Sequence, residues 1–221
     1  MDYFLRPKLA WYSISRELRP INFGIYRTDE FKDPILLPKG TDSKTIHSIP
    51  HLYGDKACKL DIWGVNSTLE TLHIPIKLEL FNVTSGKRVF EKELNVTLRP
   101  NQSTEGLSVD ITDYNPNNVV ASVSFKLPSG EILRSSADWP QPLKYVDFSN
   151  RGVNACVKAQ AVSLTAEKPT KSILLDVEGD DDSGLEWSDN GFDIMPGESV
   201  KVVARGLGKR KVVVDWYGQK S

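Results

Sequence analysis

Residues 73–98, HIPIKLELFNVTSGKRVFEKELNVTL, decide the fold. Strand signals run from His73 to Phe81 and from Val89 to Leu98, and Thr84-Ser85-Gly86-Lys87 between them supplies turn-forming residues. The same pattern extends in both directions. Upstream, Ala57 to Val65 reads as a strand closed by Asn66-Ser67. Downstream, Leu107 to Ile111, Val119 to Leu127 and Ile132 to Ser135 are separated from one another by Asn115-Pro116-Asn117-Asn118 and Pro128-Ser129-Gly130. Short strands with frequent turns, and no helical period among them, imply an antiparallel sandwich.

Further upstream, Ile21, Phe23 and Ile25 alternate with Asn22, Gly24 and Tyr26, a period of two. The stretch from Thr28 to Lys56, with Pro34, Pro38, Gly40 and Pro50, gives no element. Asp138-Trp139-Pro140-Gln141-Pro142 is the clearest punctuation, because two prolines in three residues cannot continue a central strand. A boundary belongs there. A second series follows: Leu143 to Phe148, Ala161 to Ala166, Ser172 to Val177, Gly191 to Ile194, Ser199 to Ala204 and Lys211 to Tyr217. Turns fall at Glu167-Lys168-Pro169, Gly179 to Gly184, Pro196-Gly197-Glu198 and Gly206 to Gly208, so this part reads as a small Ig-like sandwich.

The first twenty residues differ. Pro7 suits a first helical turn, and Pro20 ends the segment. Leu9, Tyr12 and Arg16 share one face, while Trp11, Ile14 and Leu18 share a neighbouring one. With Phe4 and Leu5 the apolar surface is wide, and a helix of about twelve residues is marginal alone in water. It must pack against something, yet no later segment offers a partner helix.

Composition narrows the function. The 221 residues allow one large domain or two ordinary ones. With 28 basic and 29 acidic residues the formal charge is -1, which gives no reason to expect nucleic acid or an anionic membrane as partner. No apolar run approaches a membrane span, and Met1-Asp2-Tyr3-Phe4-Leu5-Arg6-Pro7 has no signal-peptide core; in a fragment that says little of the parent. Cys58 and Cys156 are expected in different domains as small buried or half-buried thiols, a sparse usage that suits a reducing compartment.

Candidate chemistry meets a plain alternative each time. Glycosidic hydrolysis needs two facing carboxyl groups in unlike environments, and the acids here fall in turns and at alternating strand positions. Asp180-Asp181-Asp182-Ser183-Gly184 lacks the ligand spacing of a calcium loop and reads as an exposed turn. His47 and His51 are split by Pro50, and His73 stands alone, so no zinc site is expected. Gly206-Leu207-Gly208-Lys209-Arg210-Lys211 lacks the phosphate-loop spacing and reads as a charged hairpin tip. Trp63, Trp139, Trp187 and Trp216 could stack on sugars, but packing is the expectation for each; Trp63 stands in a core-like strand with Leu60 and Ile62. Glycosylation triplets begin at Asn66, Asn82, Asn95 and Asn101. The expectation is therefore no catalytic, cofactor-binding or metal-binding residue, and no cofactor.

Several of these segments carry a resemblance. Asp2-Tyr3-Phe4-Leu5-Arg6-Pro7-Lys8 with Ile14-Ser15-Arg16-Glu17-Leu18-Arg19-Pro20 resembles the last barrel helix of fungal β-mannosidases in glycoside hydrolase family two. Trp63-Gly64-Val65-Asn66-Ser67-Thr68 resembles a strand and turn of the family's mannosidase Ig-like domain, Asp138 to Pro142 the junction that follows, and Trp187-Ser188-Asp189-Asn190 with Gly206-Leu207-Gly208 the closing Ig domain. The resemblance implies a mainly β chain: residues 1–20 as the terminal helix of a truncated (β/α)8 barrel, 21–142 as the mannosidase Ig-like sandwich and 143–221 as the C-terminal Ig-like sandwich. It implies a parent that removes terminal β-D-mannose with retention, from β-mannoside oligosaccharides, using two glutamates on a barrel absent from this chain. No residue here matches either glutamate. It also implies a cytoplasmic parent, with secretion as the alternative. A stand-alone carbohydrate-binding or interaction module is the competing function.

Overall fold

The computed structural model describes residues 7–31, 56–179 and 184–219. Phe4, Leu5, His47, His51 and Asp180 to Asp182 lie outside them. One helix and fourteen strands are found among the described residues. Helix α1 (Leu9–Glu17) is followed by β1 (Ile21–Phe31), β2 (Lys56–Asn66), β3 (Leu72–Asn82), β4 (Arg88–Leu98), β5 (Gln102–Asp110), β6 (Val119–Lys126) and β7 (Ile132–Arg134). These strands form two antiparallel sheets, in the orders β1-β2-β5 and β4-β3-β6-β7. Alternation then decides burial. Leu60 and Ile62 from one sheet, and Ile74, Ile76, Leu78 and Leu80 from the other, meet in one core with Phe23 and Phe125, whose rings lie 5.0 Å apart. Pro75 is tolerated in β3 because β6 pairs only from Ile76 onward, leaving that side of Pro75 with no donor to lose.

The second sandwich contains β8 (Asn154–Lys158), β9 (Ala161–Thr165), β10 (Thr170–Val177), β11 (Glu186–Trp187), β12 (Phe192–Ile194), β13 (Val200–Arg205) and β14 (Val212–Asp215). Its sheets run β12-β10-β14 and β11-β13-β9-β8, and its core is built on Val162, Leu164, Ile173, Leu175, Ile194 and Val202.

Two expectations need correction here. Leu143 to Phe148 is not a strand. Leu143–Tyr145 is one 3-10 turn entered from Pro142, and Leu143 and Val146 pack beside Trp139 and Phe148 between the sandwiches. β8 gave no signal, because it is an edge strand with all five residues exposed and so has no buried face to print an alternation. Helix α1 is also shorter than the expected span from Pro7 to Leu18, since Lys8 is extended.

A third apolar cluster joins the sandwiches. Phe81 and Val120 are cross-strand partners on the outer face of β3 and β6, and with Val83 they meet Trp139, Phe148 and Met195. Beside them Arg151 is 1% exposed. Its Nη1 donates to Val83 O at 2.7 Å and Pro169 O at 3.3 Å, and its own carbonyl accepts from Glu167 N and Lys168 N. A buried cation is costly to desolvate and tolerable only where acceptors meet it, so Arg151 ties one sandwich's chain to the other's.

Arg151→Met should lower unfolding stability by about 2–4 kcal/mol in chemical denaturation, because two buried carbonyls lose their charged donor. Gly64→Val should cost about 1–3 kcal/mol and lower Tm: even a Cβ at Gly64 would sit 2.5 Å from Leu98 Cδ2 and 2.8 Å from Phe23 Cε1, in the first core.

Candidate functional site

Two adjoining clefts lie where α1, the first sandwich and the second sandwich meet. The larger, of about 460 Å³, is bordered by Arg16 and Arg19 of the helix segment, Arg134 at the end of β7, and Asp189, Asp193 and Glu198 of the second sandwich. The smaller, of about 370 Å³, is bordered by Glu17, Gly24, Trp63, Asp138, Gln141 and Lys171. Ser136, Ala137 and Lys171 border both.

Three acids therefore gather in one cleft, which no spacing in the sequence announced. Each is held by fixed donors. Asp189 pairs with the Arg16 guanidinium, which also donates to Asn190 O at 3.1 Å and Gly191 O at 2.9 Å. Asp193 accepts the indole N–H of Trp139 at 2.7 Å and Ser172 N–H at 2.8 Å. Glu198 pairs with Arg134 and accepts Met195 N–H at 3.1 Å. Burial pushes the Asp189 and Glu198 carboxyls above the usual range, and their guanidinium partners pull against it. Burial also raises the Tyr12 phenol, with the Asp189 and Glu186 charges adding to it. Desolvation lowers Arg19, whose Nη1 donates to Arg134 O at 3.2 Å.

The helix is anchored through this cleft. Tyr12 is its buried residue, Arg16 holds the 189–191 turn, and Glu17 accepts from the Ser136 hydroxyl and from Asn22 Nδ2. The opposite face is bare: Trp11, Ile14 and Leu18 are 51, 55 and 77% exposed. The expected need for packing is thus half met, and by a loop of the second sandwich instead of a helix.

The other sequence candidates fall apart spatially. His73 lies exposed on β3 with Nδ1 3.0 Å from Thr97 Oγ1, and no cluster of three metal-ligating side chains occurs among the described residues. The Gly206–Gly208 turn buries Leu207 and points Lys211 at Glu178, 3.2 Å away. Cys58 is buried in the first core as expected, whereas Cys156 is exposed on the edge strand β8, and no disulfide joins them. Asn66 is fully buried; its amide donates to Glu70 O and Leu98 O, and its oxygen accepts from Thr68, so the first glycosylation triplet is used up in the fold.

The four tryptophans divide. Trp139 is buried in the joining cluster, and Trp187 and Trp216 pack partly buried on the second core, Trp216 donating its indole N–H to Phe148 O at 3.0 Å. Trp63 packs too, but outside the first core, with its ring against Gly24. Leu60 and Ile62 point inward, so Trp63, one residue on, points out of the core and borders the smaller cleft. The parity of β2 was the available signal.

Comparison with known proteins places this geometry. The Mannosidase Ig/CBM-like domain profile matches residues 58–145, and an Ig-fold domain profile of the mannosidases matches 152–212. Curated relatives include β-mannosidase B of Aspergillus clavatus, 31% identical over 94% of this chain, and that of Thermothelomyces thermophilus, 32% identical over 95%. The chain spans only 23–24% of their length. Among solved structures, β-D-mannosidase from Dictyoglomus thermophilum superposes over 100% of this chain and 24% of its own with a TM-score of 0.68 at 18% identity. An exo-chitosanase of Amycolatopsis orientalis covers 75% of this chain and 24% of its own, with a TM-score of 0.51 at 16% identity. Residues 58–145 and 152–212 are thus domains of the mannosidase Ig type, and the chain is homologous, over nearly all its length, to one segment of the fungal β-mannosidases.

Proposed function

We propose that this chain is the non-catalytic scaffold portion of a β-mannosidase, whose parent hydrolyses terminal β-D-mannose from β-mannoside oligosaccharides. The observation that carries the reading is the two-faced helix. One side of α1 is fixed to the second sandwich by Tyr12 and Arg16, while the other presents Trp11, Ile14 and Leu18 as a continuous apolar stripe. A stripe of this width on a short surface helix is the mark of a missing neighbour. The neighbour proposed is the parent's (β/α)8 barrel, with residues 1–20 as its last helix, 21–142 as the first sandwich and 143–221 as the second. The length of the relatives supports this, since more than three quarters of each lies beyond the matched segment.

The same reading assigns no catalytic, cofactor or metal residue to this chain. A retaining glycosidase needs two carboxyl groups about 5–5.5 Å apart and open to the substrate. Asp189, Asp193 and Glu198 are instead occupied by guanidinium, indole and backbone donors. No helix among the described residues is long and apolar enough to cross a membrane. A cytoplasmic parent is supported by two cysteines that form no disulfide with each other.

Purified chain incubated with p-nitrophenyl β-D-mannoside should release no p-nitrophenol above buffer; sustained turnover would overturn the assignment. Replacing the stripe, Trp11→Ser/Ile14→Ser/Leu18→Ser, should reduce concentration-dependent association in ultracentrifugation while changing stability by no more than about 1 kcal/mol. Loss of the folded state on those substitutions would show that the stripe serves an internal contact and would remove the case for an external one. Deleting the whole helix is the poorer test, because it also strips Tyr12 and Arg16 from the second sandwich.

A further inference from the structure

We infer that Trp63 and the cleft beside it form a subsite for a neutral hexopyranose unit of an oligosaccharide. Trp63 and Gly24 are direct cross-strand partners. A Cβ built on Gly24 would lie 2.4 Å from Trp63 Cζ2, 2.5 Å from Cε2 and 3.0 Å from Nε1. Three atoms of one ring system at that range mean that the indole lies down across the glycine; any other residue at position 24 would lift it. The sheet therefore holds an aromatic surface flat, on the side of β2 opposite the core. Tyr26, two residues along the same face of β1, is 60% exposed.

The rim of the cleft is polar. Glu17 is oriented by Asn22 Nδ2 and the Ser136 hydroxyl, and Asp138 is oriented by Arg27 Nε at 2.6 Å, so both carboxylates are in place before any ligand arrives. Gln141 is exposed at the edge and offers both a donor and an acceptor, and the Lys171 ammonium stands over the neighbouring Trp139 ring, 5.4 Å from its centroid.

A pyranose presents an apolar face of C–H groups and an equatorial rim of hydroxyls. A flat indole with carboxylate, amide and ammonium groups around it matches both parts. The acids on the rim disfavour a phosphate or a sugar acid. Ser136, Ala137 and Lys171 continue into the larger cleft, which gives a bound chain room beyond the stacked unit and favours an oligosaccharide over a free sugar. The subsite is a property of this chain alone, so it stands or falls separately from the barrel contact, which turns on α1.

The test is titration of the full chain with mannotriose, followed by tryptophan fluorescence, beside affinity electrophoresis in mannan gels. Saturable binding and retarded migration are expected, with Trp63→Ala weakening binding on the order of tenfold, as loss of one stacking contact implies. Tyr145→Ala, an exposed aromatic elsewhere, should leave binding unchanged. If Trp63→Ala loses its thermal transition, Gln141→Ala/Lys171→Gln replaces it and should weaken binding several-fold. No saturable binding to mannotriose, cellotriose or mannan would overturn the inference, as would affinity that survives these substitutions.

Discussion

The burial of Trp139 between the two sandwiches is the interaction on which the rest of the molecule depends. Its ring packs against Phe148, with centroids 5.5 Å apart, and its indole N–H reaches Asp193 at 2.7 Å, across the junction. Phe148 meets Tyr217 edge-on at 5.1 Å, which brings the end of the second sandwich into the same cluster. A buried indole removes about 150–250 Å² from water, and at about 25 cal/mol per Å² that is roughly 4–6 kcal/mol of gross stabilisation as an upper bound. The adjacent Arg151 has the opposite character: it adds little net energy, but it is expensive to mispair. An apolar cluster tolerates small slips. A buried guanidinium with two specified carbonyl acceptors does not, so the pair fixes both the closeness and the register of the junction.

From that junction the clefts follow. Asp193 accepts from Trp139 with one oxygen and from Ser172 N–H with the other, so the strand pair β10–β12 is set against the 137–141 segment. Arg134 and Glu198 repeat the tie on the far side of the larger cleft. Burial makes Asp189 and Glu198 resemble acid catalysts in one respect, raised proton affinity. In the other respect, access to a reacting atom, they are unlike them, since each faces a guanidinium. The cleft is built by its charges, which points to a joint maintained among three elements.

Alternation made most of this fold legible. β3, β4, β6, β9, β10 and β13 each bury one face or both, and a buried face writes its period into the sequence. Where that cause is absent the sequence is mute: β8 is exposed throughout, and β11 has two residues. Leu143 to Phe148 misled for the converse reason, because its apolar residues fill the space between two sandwiches and not the inside of one. The clefts were hidden altogether. Arg16 and Asp189 are separated by most of the chain, and no local pattern requires them to meet. The side on which Trp63 packs is a matter of parity: once Leu60 and Ile62 face inward, an odd-numbered neighbour in an unbroken strand must face out.

Helix α1 shows how these constraints combine. Its polar residues contact the second sandwich and the 136–138 segment, while three of its largest apolar residues do not. Were α1 merely a cap on this chain, burying Trp11, Ile14 and Leu18 and exposing Arg16 would be the more stable arrangement. The reverse is seen, and it is forced, because Arg16 must meet Asp189 and Tyr12 must fill the gap beside it. A helix held by Tyr12 and Arg16 with its apolar stripe outward leaves that stripe able to gain stability from a covering surface. In the proposed parent the barrel provides that surface, and the ion pairs behind the helix set the angle at which the two sandwiches meet it.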